Sequence, residues 1–187
     1  MKGLWQMWEG ILPKDVCEEI MLAGSGIQKS EATVDSSGVV DKVQRRSMIG
    51  WITQDNEDFS DVWKFIERKF HEANSAAFGV DITFMKNIQY TTYDENDVGH
   101  YDWHEDIFWE SNFIYDRKLS MVVQLSDPDT YSGCDLELQV PEAPNSQSLR
   151  KQGTIIVFPS FVKHRITPIM SGHRESLVSW VEGPLWR

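Results

Sequence analysis

The sequence predicts an α+β chain, mainly β, with a double-stranded β-helix (jelly roll) core and packing helices in its N-terminal part. Three observations predict this. Residues 59–78 repeat apolar side chains at helical steps; after Gly79 short β-branched and aromatic runs take over; and clusters of Asp, Pro, Ser, Gly and Asn separate those runs. The 187 residues suit one domain over 1–187, helical over about 1–79 and jelly roll over about 80–187.

Residues 13–23 read as a helix, with Pro13 at its start, Gly24 just past its end, and Val16, Ile20 and Ala23 on one face. Residues 30–46 are polar and read as a loop, and 46–52 as a strand. In the next helix Phe59, Val62, Trp63, Ile66, Phe70, Ala73 and Ala77 recur every three or four residues, which marks a core-packing face. Seven strands follow, at 81–93, 99–107, 118–126, 134–140, 153–158, 162–169 and 174–182. Residues 141–152, rich in Pro, Ser, Asn and Gln, read as a mobile loop.

The net charge of −11 opposes nucleic-acid backbone, whose binding depends on Lys and Arg neutralising phosphates, so no nucleic-acid partner is expected. Two cysteines, Cys17 and Cys134, make no disulfide framework and point to a reducing compartment. The N-terminus lacks an uninterrupted apolar leader, and no stretch approaches the roughly 20 apolar residues of a membrane span. The expectation is a cytoplasmic protein with no membrane partner.

The chemistry concentrates in Gly99-His100-Tyr101-Asp102-Trp103-His104-Glu105-Asp106. On a strand, residues two apart share a face, so His104 and Asp106 can reach one point. His164, just after an apolar strand and a Pro159-Ser160 turn, supplies a third donor. Two imidazoles and a carboxylate make the facial triad of non-haem Fe(II) oxygenases, which leaves coordination positions for a chelating 2-oxo acid and O2. His100 and Asp102 form a rival pair that spacing alone does not separate. Arg174 lies ten residues after His164, across a turn. Its guanidinium suits the far carboxylate of 2-oxoglutarate through bidentate, charge-assisted bonds. Ser176 faces the same way and offers a hydroxyl.

These blocks resemble the prolyl-4-hydroxylase-type branch of the 2-oxoglutarate oxygenases, including the PKHD-type hydroxylases. The likeness runs from about Ile88 to Trp180. It takes in Tyr93, the 99–106 segment, Leu119 to Gly133, Phe158 to Pro168, and Gly172-His173-Arg174. The resemblance implies His104 rather than His100 as the ligand, because the family's tyrosine three residues before the metal His falls on Tyr101. It also implies that Tyr93 contacts 2-oxoglutarate. Its implied cofactor is Fe(II), with 2-oxoglutarate and O2 as co-substrates, ascorbate as reductant, and a prolyl residue of a protein or peptide as substrate. Arg174 is like the PKHD branch, whereas collagen-type enzymes carry Lys there. Gly133-Cys134-Asp135 replaces the Gly-Gly-Glu of many relatives. Arg46, in a basic-Ser element before a strand, and Trp103, Trp109 and Trp180 are the substrate-side candidates.

Three other readings stand beside this one. Oxidative demethylation of a nucleic-acid base calls for a second Arg six residues after Arg174, where this chain has Trp180. A non-enzymatic metal-binding jelly roll and a zinc hydrolase both leave Arg174 without a role.

Overall fold

The computed structural model describes residues 1–33, 40–107, 109 and 114–186. The chain begins with β1 (Gln6–Trp8), α1 (Lys14–Ser25), β2 (Ser30–Glu31), β3 (Arg45–Arg46), β4 (Met48–Ile52) and α2 (Ser60–Ala73). It continues through β5 (Phe84–Asp94), β6 (His100–His104), β7 (Tyr115–Gln124), β8 (Tyr131–Gly133) and β9 (Leu136–Leu138). Last come α3 (Ser146–Arg150), β10 (Ile155–Pro159), β11 (His164–Ile166) and β12 (Ile169–Pro184).

The larger sheet has the order β1-β10-β7-β12-β5-β4-β2, with β8 joined to the start of β12. The smaller runs β3-β6-β11-β9. The fold is the mainly β, jelly-roll architecture that the sequence predicts.

Strand alternation builds two cores on opposite faces of the larger sheet. Toward the helices point Ile88 and Tyr90 of β5, Leu119, Met121 and Val123 of β7, Ile155 and Val157 of β10, and Leu177 of β12. They meet Ile20 of α1 and Trp63, Ile66 and Phe70 of α2. The intervening residues Tyr93, Val122, Ile156 and Phe158 face the smaller sheet and meet Leu136, Leu138 and Ile166. Burial on both faces explains why β10 reads as a continuous apolar run and why Ser120 and Gln124 of β7 are buried as well. Each large apolar side chain so buried contributes about 1.5–3 kcal/mol.

The structure departs from the expected elements in four places. Gly24 does not stop α1 but lies inside it, where a Cβ would stand 2.1 Å from the Tyr90 ring; glycine is there to let helix and sheet touch. Helical winding after α2 continues as a wider turn, Asn74–Phe78, and ends at Gly79 with φ +63. Residues 141–152, expected as a mobile loop, contain α3, whose cap Asn145 accepts from the backbone N–H groups of Gln147 and Ser148 and whose Leu149 is buried. The first 79 residues also supply three strands, β1, β2 and β3, beyond the one expected at 46–52, which is β4. These cover sheet edges: β1 pairs with β10, β4 with β5, β2 with β4, and β3 with β6. Of the expected polar loop at 30–46, residues 34–39 lie outside the described residues.

Candidate metal centre and cavity

His104 ends β6 and His164 begins β11, and the two are direct cross-strand partners in the smaller sheet. That pairing puts both imidazoles on the face turned toward the larger sheet, with ring centroids 4.1 Å apart. Asp106 follows β6 and is pinned by its backbone N–H to the Ser160 carbonyl at 2.8 Å. Its Oδ1 lies 3.8 Å from His104 Nε2 and its Oδ2 3.5 Å from His164 Nε2. The three donor atoms fall within 4.8 Å of one another, the one such cluster among the described residues.

Each group is held in a ligand-ready form. His104 Nδ1 donates to the Asp102 carbonyl at 2.7 Å and His164 Nδ1 to the Val162 carbonyl at 2.9 Å. Both bonds place the proton on Nδ1 and leave the Nε2 lone pair facing the cluster. Burial, with His164 alongside, pulls the His104 pKa down to about 3, so the ring is neutral. Burial alone would raise Asp106, but His164, His104, Arg117 and the Ser120 hydroxyl outweigh it and hold the carboxyl below its usual range. Ser120 Oγ of β7 donates to Asp106 Oδ2 at 2.6 Å and also meets Ser160 Oγ at 3.0 Å. The Tyr101 ring stacks on His104 at 3.4 Å.

His100 stands apart. Its two ring nitrogens face the carbonyls of Val98 and Val43 at 2.9 and 3.0 Å, so the imidazole of the rival His-x-Asp pair is turned to backbone and not to the cluster.

The cluster opens into a cavity of about 620 Å³ between the sheets. Arg174, Tyr93, Ser176 and Trp180 line it, together with Arg45, Arg117, Trp51, Phe84 and Lys86. Arg174 is 3% exposed. Its Nε donates to Gln124 Oε1 at 2.9 Å, and among the described residues no carboxylate pairs with it. A buried guanidinium without a counter-charge is costly, and its position in the cavity wall calls for an anion from outside the chain. Tyr93 is its cross-strand partner, with the guanidinium 5.8 Å from the ring. Burial pushes the Tyr93 hydroxyl up to about 12, which keeps it a donor. Two nitrogen donors and a carboxylate suit a divalent ion such as Fe(II), and the unpaired cation suits a dicarboxylate beside it. The residues therefore fit both groups.

Of the substrate-side candidates, only Trp180 lines the cavity. Its indole Nε1 is buried without a partner among the described residues, and the Arg117 guanidinium lies 3.9 Å over its ring. Trp103 is 37% exposed beneath Arg165, and Trp109 is 61% exposed and donates to Glu105. Arg46 turns to the carbonyls of Lys42 and Asp97; its neighbour Arg45 points inward instead, over the Tyr101 ring at 4.4 Å. Successive strand residues take opposite faces, so a one-residue difference decides which arginine enters. Sequence reasoning also missed Ser120, Gln124, Arg117 and Arg45. The signal for Ser120 and Gln124 is their parity with Val122 on β7, which becomes legible only once that strand's inward face is known.

Comparison with known proteins follows the same lines. Residues 88–182 match the family model of the 2OG-Fe(II) oxygenase superfamily. A PKHD-type hydroxylase of Synechococcus sp. (strain CC9605) is 34% identical over 82 residues, covering 44% of this chain and 36% of that protein. The match spans about a third of the length of the first curated relatives. The fold is shared with a prolyl-4-hydroxylase of Pseudomonas putida (TM-score 0.71, 20% identity, 95% of this chain and 92% of that one). It is shared equally with a prolyl hydroxylase of Trichoplax adhaerens, solved with a hypoxia-inducible-factor peptide fragment (TM-score 0.71, 17% identity, 95% and 83%). Among the described residues no helix is long and apolar enough to cross a membrane.

Proposed function

We infer that this chain, which belongs to the 2OG-Fe(II) oxygenase superfamily, hydroxylates a prolyl residue of a protein or peptide, consuming 2-oxoglutarate and O2. One observation carries the co-substrate part of this reading: a buried arginine without a carboxylate partner shares a cavity with a His-Asp-His cluster. His104, Asp106 and His164 would hold Fe(II). Arg174, with Tyr93 and the Ser176 hydroxyl, would hold the far carboxylate of 2-oxoglutarate. Ferrous iron with 2-oxoglutarate and O2 supplies the oxidising power for C–H hydroxylation, with succinate and CO2 as co-products.

The chain's own residues position and shield. The Nδ1 bonds and Ser120 fix the three donors, and the apolar wall of Val122, Leu136, Ile166 and Val178 excludes water from the site. The outer cavity is walled by Trp51, Phe84, Tyr115 and Trp180, apolar faces that suit a pyrrolidine ring. The peptide held by the Trichoplax enzyme supports the same substrate class.

The test is turnover. Protein supplied with Fe(II), 2-oxoglutarate, O2 and ascorbate as reductant is expected to release succinate, faster with an accepted proline peptide, which gains one oxygen atom by mass. Arg174→Ala should raise the 2-oxoglutarate KM while metal binding persists. Absence of succinate, or turnover indifferent to Arg174→Ala, overturns the co-substrate assignment. Oxygen gained by other side chains, small molecules or bases but never by proline overturns the substrate.

A further inference from the structure

The guanidinium of Arg174 is held by a side chain that does not line the cavity. Gln124, on β7, pairs in register with Ser176 on β12, so its side chain shares a face with Arg174. Its Oε1 accepts from Arg174 Nε at 2.9 Å. Its Nε2 donates to the Ser126 carbonyl at 2.9 Å and to the Tyr131 hydroxyl at 3.1 Å. These neighbours fix the amide's orientation from both ends: a flipped amide would set N–H against N–H at Arg174 and oxygen against oxygen at Ser126. Tyr131 is fixed in turn. Arg150 of α3 lies 4.2 Å over its ring and donates to its backbone carbonyl at 2.9 Å and to that of Gly133 at 2.7 Å.

We propose that Gln124, braced by Tyr131, is a positioning residue that keeps Arg174 charged, unpaired and turned toward the cavity, and so gives the site its preference for dicarboxylic over monocarboxylic 2-oxo acids. The proposal rests on the reading of Arg174 as the 2-oxoglutarate anchor. Its physical core is that the acceptor on Nε is neutral. An amide oxygen occupies Nε and sets the plane of the guanidinium without cancelling its charge; the Tyr131 hydroxyl and the Cys134 thiol, which also bond to the guanidinium, are neutral groups too, so an incoming carboxylate meets an uncompensated charge. A carboxylate of the same shape at position 124 would form a buried ion pair with Arg174. It would neutralise the anchor and lose the two N–H donors that Ser126 and Tyr131 now receive.

The experiment uses the full chain loaded with Mn(II) and titrated by calorimetry with 2-oxoglutarate and, separately, with pyruvate, which keeps the keto-acid end but lacks the second carboxylate. Gln124→Leu is expected to weaken 2-oxoglutarate binding roughly tenfold or more, the scale of a lost hydrogen bond to a charged group. Gln124→Glu should weaken it further, while Mn(II) and pyruvate binding hold at wild-type values for both. Tyr131→Phe, which removes the hydroxyl that receives Gln124 and also bonds to Arg174, should shift 2-oxoglutarate binding in the same direction by less, and it tests the same bracing of Arg174 if the Gln124 variants do not fold. Loss of both acids together, or 2-oxoglutarate affinity unchanged in the folded variants, overturns the proposal. A wild-type chain that holds Mn(II) but does not bind 2-oxoglutarate overturns the underlying reading of Arg174, and this proposal with it.

Discussion

The wall of the cavity and the exposed fringe outside it hold their side chains under opposite physical conditions. Inside, His104, His164 and Arg174 sit on paired strands and Asp106 just after one, and each has a protein partner fixing its direction: Asp102 for His104, Val162 for His164, Gln124 for Arg174 and Ser120 for Asp106. Outside, Trp103 and Trp109 have a stacking contact and a hydrogen bond, and Arg46 reaches two backbone carbonyls, all at exposed positions. A buried polar group costs free energy unless it is bonded, so each functional group inside brings a supporting one with it. Solvent satisfies the fringe, which needs no such support. The contrast predicts that perturbing the wall affects ligand affinity, and perturbing the fringe affects neither metal nor co-substrate.

The largest effect should come from Asp106→Ala. It removes the only carboxylate of the cluster and with it the charge that offsets a divalent ion. Mn(II) affinity by calorimetry is expected to fall by far more than the roughly 10–100-fold that losing a supporting hydrogen bond costs. The fold should survive, because Ser120 Oγ retains Ser160 Oγ as a partner. Metal binding at wild-type strength would remove Asp106 from the site and end the comparison.

Ser120→Ala tests the wall one step back from the ligands. The ligand set stays complete, but Asp106 Oδ2 loses its 2.6 Å donor in a position water barely reaches. Mn(II) affinity should drop within that roughly 10–100-fold range. The variant should also lose about 1.5–3 kcal/mol of stability, the scale of a hydrogen bond to a charged group, read by urea denaturation. Unchanged affinity would mean that strand geometry alone aims the carboxylate.

How much of this was legible in the sequence divides along the same line. His104, Asp106, His164 and Arg174 announce themselves by residue type and spacing, because their chemistry is rare enough to be noticed. Ser120 and Gln124 do not. Serine and glutamine in an apolar strand have many ordinary uses, and theirs depends on the register of β7 against β12, a contact between residues about fifty positions apart. The choice of Arg45 over Arg46 has the same origin, since a two-residue strand shows no alternation from which to read its inward face. The Phe59–Phe78 helix was legible because its apolar period repeats over five turns, whereas β1 has three residues and acquires its strand character only by pairing with β10. Cys134 adopts φ +57, a conformation glycine takes freely. The added thiol lies against Arg174.

The smallest expected effect belongs to Trp109→Ala. The indole is 61% exposed and its one hydrogen bond among the described residues, Nε1 to Glu105 Oε2 at 2.9 Å, is open to solvent. Water replaces such a bond at little cost, so stability should change by no more than about 0.5 kcal/mol. Mn(II) and 2-oxoglutarate affinities should be those of the wild type, since Trp109 does not line the cavity. If the fringe meets a peptide at all, the change should raise the peptide KM and leave kcat alone, the signature of contacts made equally in the ground and transition states. A fall in 2-oxoglutarate affinity instead would show that the exposed fringe and the buried wall are one mechanical unit, and that residues held only by solvent help aim those held by the sheet.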